Sequence, residues 1–73
     1  MKVEVLSPVA GTVAFFNVDE GLSVAAGEEI CSVESMKTFF AVHAPVAGRL
    51  RYLATLGEIV GQDDPIAEII TEG

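Results

Sequence analysis

Residues 7–16 read SPVAGTVAFF and residues 44–53 read APVAGRLRYL, so Pro-Val-Ala-Gly recurs at one offset, Pro8 to Pro45, in a chain of 73 residues. Beyond these runs the register slips by one. GLSVAAGEEICSVE at 21–34 then falls on GEIVGQDDPIAEII at 57–70, matching Gly21 to Gly57, Val24 to Val60 and Ile30 to Ile66. The chain is therefore written as two half-units. A half-unit alone would leave an apolar face in water, and pairing it with a pseudo-twofold mate covers both faces at once.

Each half reads as β structure. Its apolar runs are short, rich in Val, Ile and Phe, and punctuated by Gly, Pro or Asp. The pattern predicts strands near 2–6, 12–18, 22–25, 29–34, 38–43, 48–54, 58–60 and 66–71. The expected fold is all-β: a flattened eight-stranded barrel or sandwich of two pseudo-twofold-related four-stranded halves, one domain over 1–73. Pro8 and Pro45 precede Gly11 and Gly48 by three residues. This spacing predicts a bend in which proline fixes φ and glycine takes a conformation closed to other residues. Gly21 and Gly57 open the next turn. AAGEE at 25–29 and GQDDP at 61–65 are equivalent polar turns, and Asp63 with Asp64 reads as turn chemistry, not a metal site.

A chain of this length buries only roughly 60% of its unfolded surface, so a composition of 51% hydrophobic and 21% charged residues is needed for a compact core. The net charge of −7 argues against nucleic acid and anionic membranes, since both attract clustered Lys and Arg. No apolar run approaches the ~18 residues that span a bilayer, and the N-terminus lacks the features of a signal peptide. The expectation is a cytoplasmic chain, monomeric in isolation. Cys31 is the single cysteine; it offers no internal disulfide and reads as a small buried apolar residue in a strand.

The symmetry also locates the joint between the halves. VES ends one strand and TFFAV begins the next, leaving Met36 and Lys37 as the central pair of a tight hairpin. Two-residue hairpins favour Asn-Gly or Asp-Gly because the primed turns need positive φ, so Met-Lys gives up local stability there. Such a departure at one defined spot points to function. Lys37 is also the only Lys or Arg between Lys2 and Arg49. An exposed lysine, with a pKa of roughly 10.4, is a weak nucleophile at neutral pH. No Cys or second Lys lies near it, and His43 reads as structural or solvated. No residue is assigned a catalytic role. A protruding lysine can present its amine to another enzyme for acylation; the plainer alternative is a solubilising tip charge.

VESMKTFF at 33–40, with APVAG at 44–48 and GEIVGQDDPIAEI at 57–69, resembles the biotin-attachment domain of biotin-dependent carboxylases, the biotin carboxyl carrier family. The likeness runs from VLSPVAGTV to IAEII. It implies a flattened eight-stranded barrel of two symmetric halves. It also implies that Lys37 is the biotinyl lysine, flanked by Glu34, Ser35, Met36 and Thr38, with a biotin protein ligase, a biotin carboxylase and a carboxyltransferase as partners. The chain would then carry a carboxyl group between the last two. The resemblance departs at Thr38, where the family usually has Met, a position tied to carboxylase coupling more than to attachment. NVDE at 17–20 is too short for a protruding thumb, so the likeness is to the thumbless kind. The lipoyl domains, cousins of the same fold, usually place Asp before the lysine, where this chain has Met36. An unmodified interaction module is a further alternative, although the long helical insertion usual in such modules is missing.

Overall fold

In the computed structural model, which describes residues 1–72, the apolar runs become eight strands. They are β1 (Lys2–Leu6), β2 (Gly11–Phe16), β3 (Ser23–Val24), β4 (Glu29–Ser35), β5 (Thr38–His43), β6 (Gly48–Tyr52), β7 (Ile59–Val60) and β8 (Pro65–Ile70). The last residue of the expected 1–73 domain, Gly73, lies outside the described residues. The strands form two antiparallel four-stranded sheets, ordered β1-β8-β6-β3 and β5-β4-β2-β7. The all-β, eight-stranded expectation is met. β2 and β6 end earlier than predicted because the chain turns off at Asn17 and Leu53, whose amides donate to the carbonyls of Ile30 (2.8 Å) and Ile66 (2.9 Å).

The two halves interleave. Replacing β1, β2, β3 and β4 by β5, β6, β7 and β8 converts one sheet order into the other, so each sheet takes two strands from each half. Hydrogen bonds repeat under the same exchange. Gly21 N donates to Leu50 O (2.9 Å) and Gly57 N to Val13 O (2.8 Å); Gly27 N donates to Ala44 O (2.7 Å) and Asp63 N to Ser7 O (2.8 Å). The core repeats too: Val5 with Val42, Val13 with Leu50, Val24 with Val60, Ile30 with Ile66, and Val33 with Ile69 are all buried. Symmetry is thus an economy of packing. One solution to interdigitating branched side chains between sheets is used twice.

The strand registers place the slip between the repeats earlier than the sequence alignment does. β6 pairs with β8 without interruption from Arg49 to Tyr52, whereas β2 shifts register against β4 between Val13 and Phe15. Ala14 is the extra residue, accommodated as a β-bulge. Phe16, not Phe15, is therefore the mate of Tyr52, and the two rings stack on each other at 3.7 Å with planes 9° apart.

The reading of Gly11 and Gly48 is also corrected. Neither has positive φ. Both open a strand that presses on a neighbouring backbone: a Cβ on Gly48 would sit 2.6 Å from both the Ile70 carbonyl oxygen and Ile69 Cγ2, and one on Gly11 would run into the Glu34 carbonyl oxygen. Close approach requires glycine here, where the Pro-Gly spacing suggested a special dihedral. The matched turns behave as expected. Glu28 Oε1 accepts from Ala25 N (3.0 Å) and Asp64 Oδ2 from Gly61 N (2.7 Å), while Asp63 occupies the left-handed region (φ 69°) at the position of Gly27 (φ 86°).

Two titratable groups lie against the core. Burial, reinforced by Glu29, pushes the Cys31 thiol from 9.0 up to about 11. Burial and then the Cys31 charge push Tyr52 from 10.0 to about 12, although its hydroxyl lies 2.6 Å from Val18 O and 2.9 Å from Ile30 O and donates its single proton to them. Both values are raised in the folded state, so the stabilisation is complete below the unfolded pKa values and is lost as pH rises through the folded ones. Urea unfolding measured from pH 8 to 12 should give a constant stability up to about pH 9 and a progressive fall above it. Tyr52→Phe should remove the portion of that fall between pH 10 and 12.

Candidate functional site

The turn between β4 and β5 is closed by the Ser35–Thr38 pair, and its two central residues are Met36 (φ 53°) and Lys37 (φ 63°). Positive φ at both positions is the type I′ hairpin, whose twist matches that of the flanking strands. The Met-Lys pair is held in a conformation natural to Asn-Gly. The flanking structure must supply the difference, and it does so through β4, whose Ile30, Cys31, Ser32 and Val33 are buried one after another. Gly11 lets β2 press against the Glu34 carbonyl immediately before the turn. The hairpin is anchored at its base and unsupported at its tip.

Met36 is 94% exposed, and Glu34, Lys37 and Thr38 are exposed with Ser35 half-buried. Among the described residues no side-chain hydrogen bond or ion pair engages Lys37; the one ion pair joins Arg51 to Glu68. The expected site residues are thus contiguous and on one projection. His43 ends β5 at the far side from the hairpin, exposed and opposite Glu29, so it does not reach Lys37. Asp63 and Asp64 belong to the turn described above. What the arrangement offers chemically is a solvated primary amine on a type I′ turn, with no side-chain hydrogen bond to it among the described residues.

The chain runs the length of the molecule between this tip and its own ends. β1 leaves Met1 and, through residues 7–10, delivers Gly11 beside Glu34 at the hairpin; β5 leaves the hairpin and, through residues 44–47, delivers Gly48 beside Ile70. Hairpin and termini therefore occupy opposite ends of a body 39 Å long and 18 Å across.

Exposed apolar side chains surround the tip, a feature that no local motif announces. Phe15 and Phe39, both half exposed, lie with ring centroids 5.4 Å apart on the outer face of the sheet that carries Lys37, and Ile59 on β7 is 82% exposed on the same face. Their signal is in the repeat: with the slip placed at Ala14, Phe15 aligns with Arg51 and Phe39 with Lys2.

Comparison with known proteins matches residues 3–69 to the family model described as "Biotin-requiring enzyme". The mitochondrial propionyl-CoA carboxylase alpha chain of Mus musculus is 34% identical over 64 residues, covering 86% of this chain and 9% of that protein. The crystal structure of Kluyveromyces lactis urea carboxylase superposes with a TM-score of 0.88 at 27% identity, over 96% of this chain and 6% of that one. A single-chain, multi-domain long-chain acyl-CoA carboxylase superposes at 0.81 with 33% identity, over 97% of this chain and 7% of that one. The chain spans less than a tenth of the length of each of these relatives.

Proposed function

The chain belongs to the family of attachment domains found in biotin-requiring enzymes, and from that premise we propose that Lys37 is the residue that carries biotin, making this domain a carboxyl carrier. The observation that carries the proposal is the exposed type I′ tip formed by Met36 and Lys37, which presents an amine that no side chain among the described residues engages. Glu34, Ser35, Met36 and Thr38 are the flanking residues that a partner would read.

The residues fit the cofactor. An amide between Lys37 Nζ and the biotin carboxyl group needs a reachable, unpaired amine, and the tip provides one. When attached, biotin supplies the site that accepts and yields a carboxyl group. The domain's own part is mechanical. The twice-used β core holds the base of the hairpin, while the lysine side chain, without a partner among the described residues, sweeps the space around the tip. Tethering makes each encounter with a second active site effectively intramolecular, at an effective concentration on the order of mM. A biotin carboxylase and a carboxyltransferase are the two active sites the carrier would visit, with a biotin protein ligase loading it beforehand.

The test is a comparison of ligases on the purified chain. Incubated with biotin, ATP and a biotin protein ligase, the chain should gain one biotinyl group by intact mass; with lipoate and a lipoate ligase it should gain little. Met36→Asp places a charge beside the amine where an apolar contact is expected. It should leave the circular dichroism unchanged, lower the rate of biotinylation and raise acceptance of lipoate, since specificity is a difference that repulsion can reverse. Equal uptake of both cofactors by the unaltered chain would remove Met36 as the discriminating residue.

A further inference from the structure

The pseudo-twofold supplies an internal control. It carries the outer face of the β1-β8-β6-β3 sheet onto that of the β5-β4-β2-β7 sheet, so matched positions share a backbone environment and differ in what meets the solvent. Lys2 matches Phe39, Arg51 matches Phe15 and Ser23 matches Ile59. The first face is charged, with Arg51 paired to Glu68 at 3.7 Å. The second presents two phenylalanines and an isoleucine at the same places, with Glu34 between them in the row Phe39, Glu34, Thr12, Ile59. The same fold carries polar side chains at their mates, so the backbone itself accepts polar residues at these positions. The row from Phe39 to Ile59 adjoins the Ser35–Thr38 pair, and Phe15 lies in the next outward row, opposite Ser32.

We infer that this face is the surface on which the ligase that modifies Lys37 docks, an inference that rests on the function proposed above. The occupant follows from reach. An enzyme acting on the bare amine must bring its own surface within one lysine side chain of the hairpin, and the exposed apolar surface nearest that tip on the same sheet is Phe39 and its neighbours. A protein acting at the end of a loaded arm is under no such constraint. The complementary surface is apolar, with a cation opposite Glu34, and the domain's charge of −7 favours the approach of such a partner.

The matched residues define the variant. Phe15→Arg, Phe39→Lys and Ile59→Ser place at these three positions the residues found at their mates Arg51, Lys2 and Ser23, while Glu34, whose mate is Ile70, keeps its place, and circular dichroism should be unchanged. Steady-state kinetics with a biotin protein ligase, read by intact mass, should show KM for the domain rising about tenfold or more, as for loss of one well-packed contact cluster, with kcat within about twofold. Ile59→Ser alone, at a position too exposed to affect folding, should raise KM in the same direction. Arg49→Thr, which copies Thr12 onto the first face, should leave KM unchanged. A KM within about twofold of the original for the triple variant would overturn the inference, as would an equal rise for Arg49→Thr. Light scattering on the same samples covers another occupant: a dimer that the triple substitution dissociates while KM stays constant would assign the face to a second copy of this chain and overturn the inference. Labelling of Lys37 in the triple variant at saturating concentration would leave the carrier function standing while docking failed. Absence of labelling in the unaltered chain would remove both.

Discussion

Lys37→Arg will take up no biotin. Intact mass and a streptavidin gel shift, run beside the unaltered chain and Lys2→Arg, should show one group on each of the latter two and none on the Lys37 variant. The substitution is a narrow one. Arginine preserves the positive charge and an unbranched stem at a residue whose φ of 63° already disfavours most side chains, so the hairpin should persist. What it removes is a nitrogen that can lose its proton and attack, since the guanidinium stays charged at any ordinary pH. Lys2 lies at the opposite end, in β1, where a ligase holding the hairpin has no access to it. Labelling that survives Lys37→Arg would place the modification elsewhere and end the assignment.

Gly11→Val and Gly48→Val should each destabilise the domain by about 3 kcal/mol, the upper end of what overpacking a tight site costs. For a chain of this size the total stability is roughly 4–11 kcal/mol, so each change consumes a large part of it. The obstacle in both cases is a carbonyl of the adjacent strand, Glu34 for Gly11 and Ile70 for Gly48. A carbonyl cannot rotate aside as a flexible side chain can. The two sites separate stability from function. Gly11 abuts the strand end that leads into the Met36–Lys37 turn, so its replacement should also slow biotinylation of the molecules that remain folded. Gly48 abuts the terminal end, and its replacement should lower the urea midpoint without changing the labelling rate of the folded fraction. Equal labelling by both variants would show that β2 does not position the hairpin.

Much of this architecture was legible in the chain because the repeat and the alternation of apolar residues report the same thing. The duplicated Pro-Val-Ala-Gly fixed the halves, the short Val- and Ile-rich runs fixed the strands, and the segment between the halves had to reverse, which exposed Met36 and Lys37 as a turn. The mistaken details share one cause. An alignment of letters sees neither a bulge nor a neighbouring strand. Letters alone place the slip after Phe16, since Phe-Phe aligns plausibly with Tyr-Leu, whereas Ala14 bulges within β2. The spacing of Gly11 to Pro8 suggests a special dihedral, but its requirement is set by Glu34, distant in sequence. The apolar outer face escaped notice for the same reason. Phe15 and Phe39 are far apart along the chain and become neighbours only once β2 and β5 flank β4.

The clasp between the two chain ends has a consequence for assembly. Met1 N donates to Thr71 O (3.1 Å) and Thr71 N to Met1 O (2.8 Å), so entry and exit lie side by side. Any segment joined to either end departs from a single point, and the domain hangs from it like a bob from its pivot. Swinging about that pivot carries the lysine along an arc whose radius approaches the 39 Å length of the body. The Met1–Thr71 clasp and Lys37 are thereby separated by the length of the body. A given angular change at that point therefore displaces the Lys37 end farther than any other part of the domain.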